Sequence, residues 1–110
     1  MKLKIFISLL ILVLGMSIGA AYTGTVEEGY SYLIGHWQSR DGYRSYLSMG
    51  QWGKMNFNIR HVEITDDKVI ITISPFNRYM DTITFNRDNK NYFILKNEQT
   101  GYIMDYSRIQ

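Results

Sequence analysis

Beyond residue 21, apolar and polar positions alternate with a period of two, and turn residues interrupt the alternation at short intervals. The clearest case is NFNIRHVEITDDKVIITISP, where two alternating runs flank Asp66-Asp67 and Pro75 ends the second run. A turn between two alternating runs predicts a β-hairpin. The phase of the first run slips by one at Arg60-His61, which is typical of a β-bulge. Because no stretch shows helical periodicity over three turns, the pattern indicates an all-β domain.

Further strands are predicted on both sides of this hairpin. Downstream, the pattern predicts strands near Tyr79–Asn86, Asn91–Lys96 and Gly101–Arg108, separated by the turn-forming segments RDNK and NEQTG. Upstream, Asp41-Gly42 predicts a tight turn between two more strands. Seven or eight short strands joined by tight turns predict a small antiparallel up-and-down barrel, or a flattened barrel.

Two segments do not alternate. In TVEEGYSYLIG, Thr25 is followed three residues later by Glu28, a capping-box spacing that predicts a short helical turn. We expect this segment to cover one end of the barrel. In SMGQWGK, Trp52 lies between Gly50 and Gly53, and we predict that it lies on a loop.

The first 21 residues have the layout of a secretory signal peptide. Lys2 and Lys4 precede an apolar run over Ile5–Leu14, and small residues follow over Gly19–Ala21. The run is shorter than the ~20 apolar residues of a membrane-spanning helix. We therefore expect cleavage within Gly19–Ala21 and export to the periplasm or the extracellular space, with an uncleaved N-terminal anchor as the alternative. Residues 22–110 are predicted to form one domain.

The charge and composition of this domain exclude two classes of partner. The leader carries two of the 12 basic residues and none of the 10 acidic ones, so the remainder has no net charge. Such a surface does not attract nucleic acid or an anionic membrane, and we expect neither as a partner. With no cysteine, packing alone must hold the fold. The lack of cysteine and of glycosylation sequons favours a bacterial protein; the oligomeric state is not predicted.

His36, Ser39 and Asp41 lie close together in the sequence, as a nucleophile and its base would. Side chains alternate faces along a strand, so His36 and Ser39 project from opposite sides, whereas a nucleophile and its base must come within hydrogen-bond reach. His61 and Glu63 share a face, but no HExxH motif and no cysteine completes a metal site. We therefore predict a non-catalytic protein without a metal or cofactor.

Gly35-His36-Trp37 at the start of the first barrel strand, together with Arg108 near the end of the last, resembles the lipocalin or calycin class of small barrels. In that class the Gly-x-Trp tryptophan sits at the closed end, and a basic side chain from near the C-terminus packs across its ring. The resemblance implies that Gly35, Trp37 and Arg108 close the barrel here. A cation over an indole face contributes ~0.5–2 kcal/mol. This chain is much shorter than a full lipocalin.

An eight-stranded barrel has interior room only for side chains or one small ligand, and all aromatic residues except Phe6 follow the leader. We therefore expect a filled barrel that recognises its partner at one end, with contact residues Trp52, Tyr43, Tyr46 and Met49. The expected function is that of an exported binding protein for a small apolar or aromatic ligand or an envelope component. The alternative is a protein-protein module, such as an inhibitor or immunity protein of an extracytoplasmic hydrolase or toxin.

Overall fold

A computed structural model describes residues 21–109. These residues form one helix and nine strands, which in chain order are β1 (Tyr22–Thr23), α1 (Val26–Leu33), β2 (Gly35–Ser39), β3 (Arg44–Ser48), β4 (Gln51–Trp52), β5 (Met55–Ile64), β6 (Lys68–Pro75), β7 (Asp81–Asn86), β8 (Asn89–Asn97) and β9 (Ile103–Ile109). The predicted signal peptide lies outside the described residues, apart from Ala21. Within residues 21–109, no helix has the length and apolarity needed to span a membrane.

Strands β2 to β9 form a closed antiparallel barrel in up-and-down order. Each strand pairs with its neighbours in the sequence, and β9 returns to pair with β2, from Ser39 opposite Tyr106 to His36 opposite Ile109. Within the described residues, this ring of eight strands confirms the predicted all-β barrel. Strand β1 lies outside the ring and pairs with the end of β5.

The hairpin across Asp66-Asp67 forms as predicted, from β5 and β6. Its register shifts between Ile59 and His61, so Arg60 has no partner in the ladder. This is the bulge that the phase slip predicts, and it increases the local twist where the sheet must curl into a barrel.

Trp52 does not lie on the predicted loop, because Gln51–Trp52 forms β4 and pairs with β3 and β5. Two residues are too few for an alternating pattern to be recognised. Gly50 and Gly53 turn the chain at the two ends of β4, with φ angles of +79° and +59° that glycine adopts without strain.

The remaining predicted strands form close to their expected bounds. Each of the three downstream strands begins two residues from its predicted start: β7 at Asp81, β8 at Asn89 and β9 at Ile103. The backbone N–H groups of Arg78 and Tyr79 both donate to the carbonyl of Pro75, which holds these residues in the turn after β6.

The predicted helical segment forms α1 and covers the barrel end where β2 begins. Its capping box is complete, since Glu28 N–H donates to Thr25 Oγ1 at 3.1 Å and Thr25 N–H donates to Glu28 Oε1 at 2.9 Å. Gly29 packs against β5, where a Cβ atom would lie 3.0 Å from both Ile59 and Val62. The helix thereby covers the part of β5 that the short β4 leaves without a partner.

Side chains fill the interior of the barrel. The rings of Trp37, Phe85 and Phe93 form its centre, with centroids 4.6–5.9 Å apart. The buried apolar residues around them are Leu33, Leu47, Phe57, Val62, Ile64, Val69, Ile71, Ile73, Ile83 and Leu95. This packing is that of the expected filled barrel, so a binding site must be sought at its ends.

Candidate functional site

We call the end where β2 begins and β9 finishes the sealed end. There the Arg108 guanidinium carbon lies 4.3 Å from the centre of the Trp37 ring. Arg108 Nη1 donates to the carbonyl of Ile34 at 2.8 Å, and Nη2 donates to those of Tyr32 at 2.8 Å and Lys90 at 3.0 Å. One cation thus contacts the Trp37 ring, as the resemblance implies, and also binds two carbonyls at the end of α1 and one in β8.

Gly35 leaves room for this arrangement. Its φ angle is +144°, and a Cβ atom at this position would collide with Arg108 Nη1. Trp37 Nε1 donates to the carbonyl of Leu33 at 2.8 Å, which ties the barrel to the end of α1. Burial lowers the pKa of Arg108, but a guanidinium stays protonated at neutral pH. Gly35, Trp37 and Arg108 therefore lock the sealed end.

We call the opposite end, where loops join β2 to β3, β4 to β5, β6 to β7 and β8 to β9, the open end. Half of the large hydrophobic side chains that are exposed in residues 21–109 lie in or beside these loops, namely Tyr43, Phe76, Tyr79, Met80, Tyr102 and Ile103. These six side chains lie in or beside three of the four loops, which makes the open end the candidate for an interaction surface.

A pocket of about 290 Å³ lies at the open end and is lined by Trp52, Met55, Asp81, Leu95 and Tyr106. We call it the mouth pocket. Its five residues come from five different strands, so only closure of the barrel brings them together. The rings of Trp52 and Tyr106 pack edge to face, with centroids 5.2 Å apart, and both rings contact Phe93 of the core.

Asp81 is the charged residue of the mouth pocket. Its side chain lies on the inner face of β7, as do those of Ile83 and Phe85, and only 8% of its surface is exposed. Burial raises the pKa of the Asp81 carboxyl, the hydrogen bond that Asn97 Nδ2 donates to Asp81 Oδ1 at 2.9 Å lowers it, and the nearby Glu98 carboxylate raises it. The net shift is upward.

The structure separates the four predicted contact residues. Trp52 lines the mouth pocket, and Tyr43 lies 74% exposed in the β2–β3 loop of the open end. Tyr46 lies on the outer wall, where its ring packs 4.6 Å from that of His36. Met49 lies in the turn between β3 and β4, which is directed away from the open end.

The other four residues that line the mouth pocket are not among the contact residues predicted from the sequence: Met55, Asp81, Leu95 and Tyr106. One pattern in the sequence points to Asp81, because this acid stands in phase with the apolar residues of an alternating strand. An acidic residue at an inward position is uncommon and marks a candidate site.

The residues considered for catalysis do not assemble. His36 is exposed on the outer face of β2, whereas Ser39 is buried on its inner face and accepts a hydrogen bond from the backbone N–H of Tyr43 at 3.1 Å. His61 and Glu63 lie on the outer wall of β5. Over residues 21–109, no three histidine or acidic side chains come together to hold a metal ion.

A larger cavity, of about 440 Å³, lies between two turns of the sealed end and is lined by Asp66, Asp67, Asn86, Arg87 and Asp88. Its polar groups hold the turns themselves. Arg87 donates through its backbone N–H to the carbonyl of Asp67 at 2.8 Å and through Nη1 to that of Thr65 at 3.1 Å. We therefore attribute this cavity to the way in which the two turns pack together.

No model of a known protein family, no curated protein sequence and no solved structure matches the chain.

Proposed function

We propose that this chain is an exported, non-catalytic binding protein of lipocalin-like architecture, which takes a small apolar or aromatic ligand at the open end. The proposal of export rests on the leader pattern of residues 1–21. The lipocalin-like assignment is supported by the Arg108 side chain, which lies over Trp37 and beside Gly35 in the way that the resemblance implies.

The observation that carries the proposal is the contrast between the two ends. The sealed end is covered by α1 and locked by Arg108, whereas the open end combines the mouth pocket with exposed apolar loops. Ligand pockets in proteins typically have volumes of ~300–1,000 Å³. At about 290 Å³, the mouth pocket suits a ligand of about the size of one aromatic ring, with the loops covering any longer part.

The two tryptophans of the chain allow each end to be observed separately. In Trp37→Phe the remaining tryptophan, Trp52, reports on the mouth pocket; in the matched control Trp52→Phe, Trp37 reports on the sealed end. We expect 2-phenylethanol to change the emission of Trp37→Phe. Emission from Trp52→Phe should stay constant. Equal changes in both variants, or no change in either, would contradict ligand binding at the mouth.

A protein partner is the second candidate, and the backbone of the β6–β7 loop favours it. Phe76 has a φ angle of +56° and is 60% exposed, so an aromatic ring is held at the surface on a strained backbone. If a protein is the partner, the tagged wild-type domain should capture it from an envelope extract, and the tagged Phe76→Gly variant should not capture it. A partner retained equally by both would bind elsewhere.

A further inference from the structure

The mouth pocket holds an acid whose charge the described residues do not balance. Asp81 Oδ1 accepts the hydrogen bond from Asn97, but no described residue donates to Asp81 Oδ2. Within residues 21–109 no fully buried side-chain oxygen lacks a hydrogen-bond partner. Asp81 Oδ2 therefore keeps contact with the space of the pocket, which Asp81 lines.

No basic side chain of residues 21–109 forms an ion pair with Asp81. The ion pairs formed among residues 21–109 are Arg40 with Asp105, at 2.8 Å on the outer wall, and Lys96 with Glu98, at 3.9 Å. Neither includes Asp81. A buried carboxylate without a cation is costly, and the cost is removed when a cation arrives.

Aromatic rings stand beside this acid. Trp52 and Tyr106 line the same pocket as Asp81, and their edge-to-face packing leaves them at a fixed angle of 70°. An ammonium group over an indole or phenol ring is attracted to the face of the ring, most strongly where water is displaced. At the sealed end the chain itself fills such a place, with Arg108 over Trp37. At the open end, no basic side chain of the described residues pairs with Asp81 in this way.

We propose that the mouth pocket selects ligands that carry a protonated amine on a small aromatic or apolar body, with Asp81 as the counter-charge and Trp52 and Tyr106 as the ring contacts. This inference rests on the proposed function and specifies its ligand class. It also disfavours carboxylate ligands such as fatty acids, because a second carboxylate beside Asp81 would be repelled.

The test uses three probes that share one ring and differ in charge: 2-phenylethylammonium, 2-phenylethanol and 3-phenylpropanoate. Their dissociation constants are measured calorimetrically at pH 7.5 on the full domain. We expect the ammonium to bind at least about tenfold more tightly than the alcohol, and 3-phenylpropanoate to bind most weakly. Asp81→Asn should abolish the preference, while Asp105→Asn, the same charge change on the outer wall, should leave it intact.

The outcomes separate this inference from the proposed function. If the alcohol binds the wild-type domain as tightly as the ammonium, or if the preference persists in Asp81→Asn, the cationic ligand class is wrong while ligand binding at the mouth stands. If none of the three probes binds, the proposed function fails together with the inference. The comparison of probes on the wild-type chain needs no variant, and Asp81→Ser provides a second one should Asp81→Asn not fold.

Discussion

Each end of the barrel places a tryptophan beside a charged side chain, but the two pairs differ in how completely the chain satisfies them. At the sealed end the cation of Arg108 meets the ring of Trp37 and three carbonyl oxygens. At the open end the carboxyl of Asp81 shares a pocket with Trp52 and accepts one hydrogen bond from residues 21–109, donated by Asn97. The sealed end therefore stabilises the fold, whereas the open end leaves the Asp81 carboxyl without a cationic partner among residues 21–109.

The difference illustrates how a small domain without disulfides can support a binding site. Strain and unbalanced charge are tolerated where function requires them, provided that the rest of the fold supplies the stability. Substitutions at the sealed end should consequently cost stability, whereas conservative substitutions at the open end should gain it.

The largest expected effect is that of Trp37→Ala. Removing a completely buried tryptophan from a core costs about 3–5 kcal/mol, a large part of the ~5–15 kcal/mol that holds a typical domain together. Unfolding in urea followed by circular dichroism measures the loss. Trp52→Ala should cost clearly less because Trp52 is only partly buried; equal losses would refute the contrast between the ends.

Arg108→Met comes next, with an expected loss of about 2–4 kcal/mol, because it removes the ring contact and leaves carbonyl oxygens without their donor. Arg40→Met is the matched control. It removes an exposed ion pair with Asp105, which water and salt screen, and should cost much less than Arg108→Met.

A double-mutant cycle sharpens this prediction. Gly35→Ala places a Cβ where Arg108 Nη1 lies, so its cost should be smaller once Arg108→Met has removed the guanidinium. A coupling of about 1 kcal/mol or more is expected. Strict additivity would mean that Gly35 acts through its backbone conformation alone.

At the open end, Asp81→Asn should raise Tm by a few degrees at neutral pH. The pKa of Asp81 is raised in the folded state, chiefly by burial, so its contribution to stability is complete below the ordinary pKa of aspartate. That contribution is lost as the pH rises through the raised pKa. The advantage of Asp81→Asn should thus vanish at acidic pH, and calorimetric scans between pH 3 and pH 8 measure it. An advantage that grows toward acidic pH would have the wrong sign.

The smallest expected effect is that of Phe76→Gly, a gain of up to about 1 kcal/mol, because glycine adopts a φ of +56° without strain. Phe76→Ala removes the ring but keeps the Cβ atom, so it should bring no such gain. Chemical denaturation resolves the two variants. A loss of stability in Phe76→Gly would show that the ring supports the fold.

Local patterns in the sequence predict those structural elements whose determining residues are adjacent in the chain. The alternating runs around Asp66-Asp67 predict a hairpin, the phase slip at Arg60 predicts the bulge, and Thr25 with Glu28 predicts the start of α1. Strand β4 was not predicted because its two residues have no recognisable pattern of their own. Their extended conformation depends on pairing with β3 and β5.

The mouth pocket is harder to predict from the sequence, because the residues that line it are far apart in the chain. Trp52 lines the mouth pocket, whereas Tyr46, six residues earlier on β3, lies on the outer wall. The residues that join Trp52 in the mouth pocket, Asp81 and Tyr106, are far along the chain, and only the closure of β9 onto β2 fixes their positions.

The brevity of β4 also affects how the barrel moves. This strand makes two residue pairs with β3 and two with β5, whereas β5 and β6 share seven. Segments with few backbone hydrogen bonds open locally at low free-energy cost. The amide protons of Gln51 and Trp52 should therefore exchange with solvent well before those of β6. Local opening is therefore expected at β4, in the wall beside the mouth pocket, before it occurs at the far end that Arg108 holds.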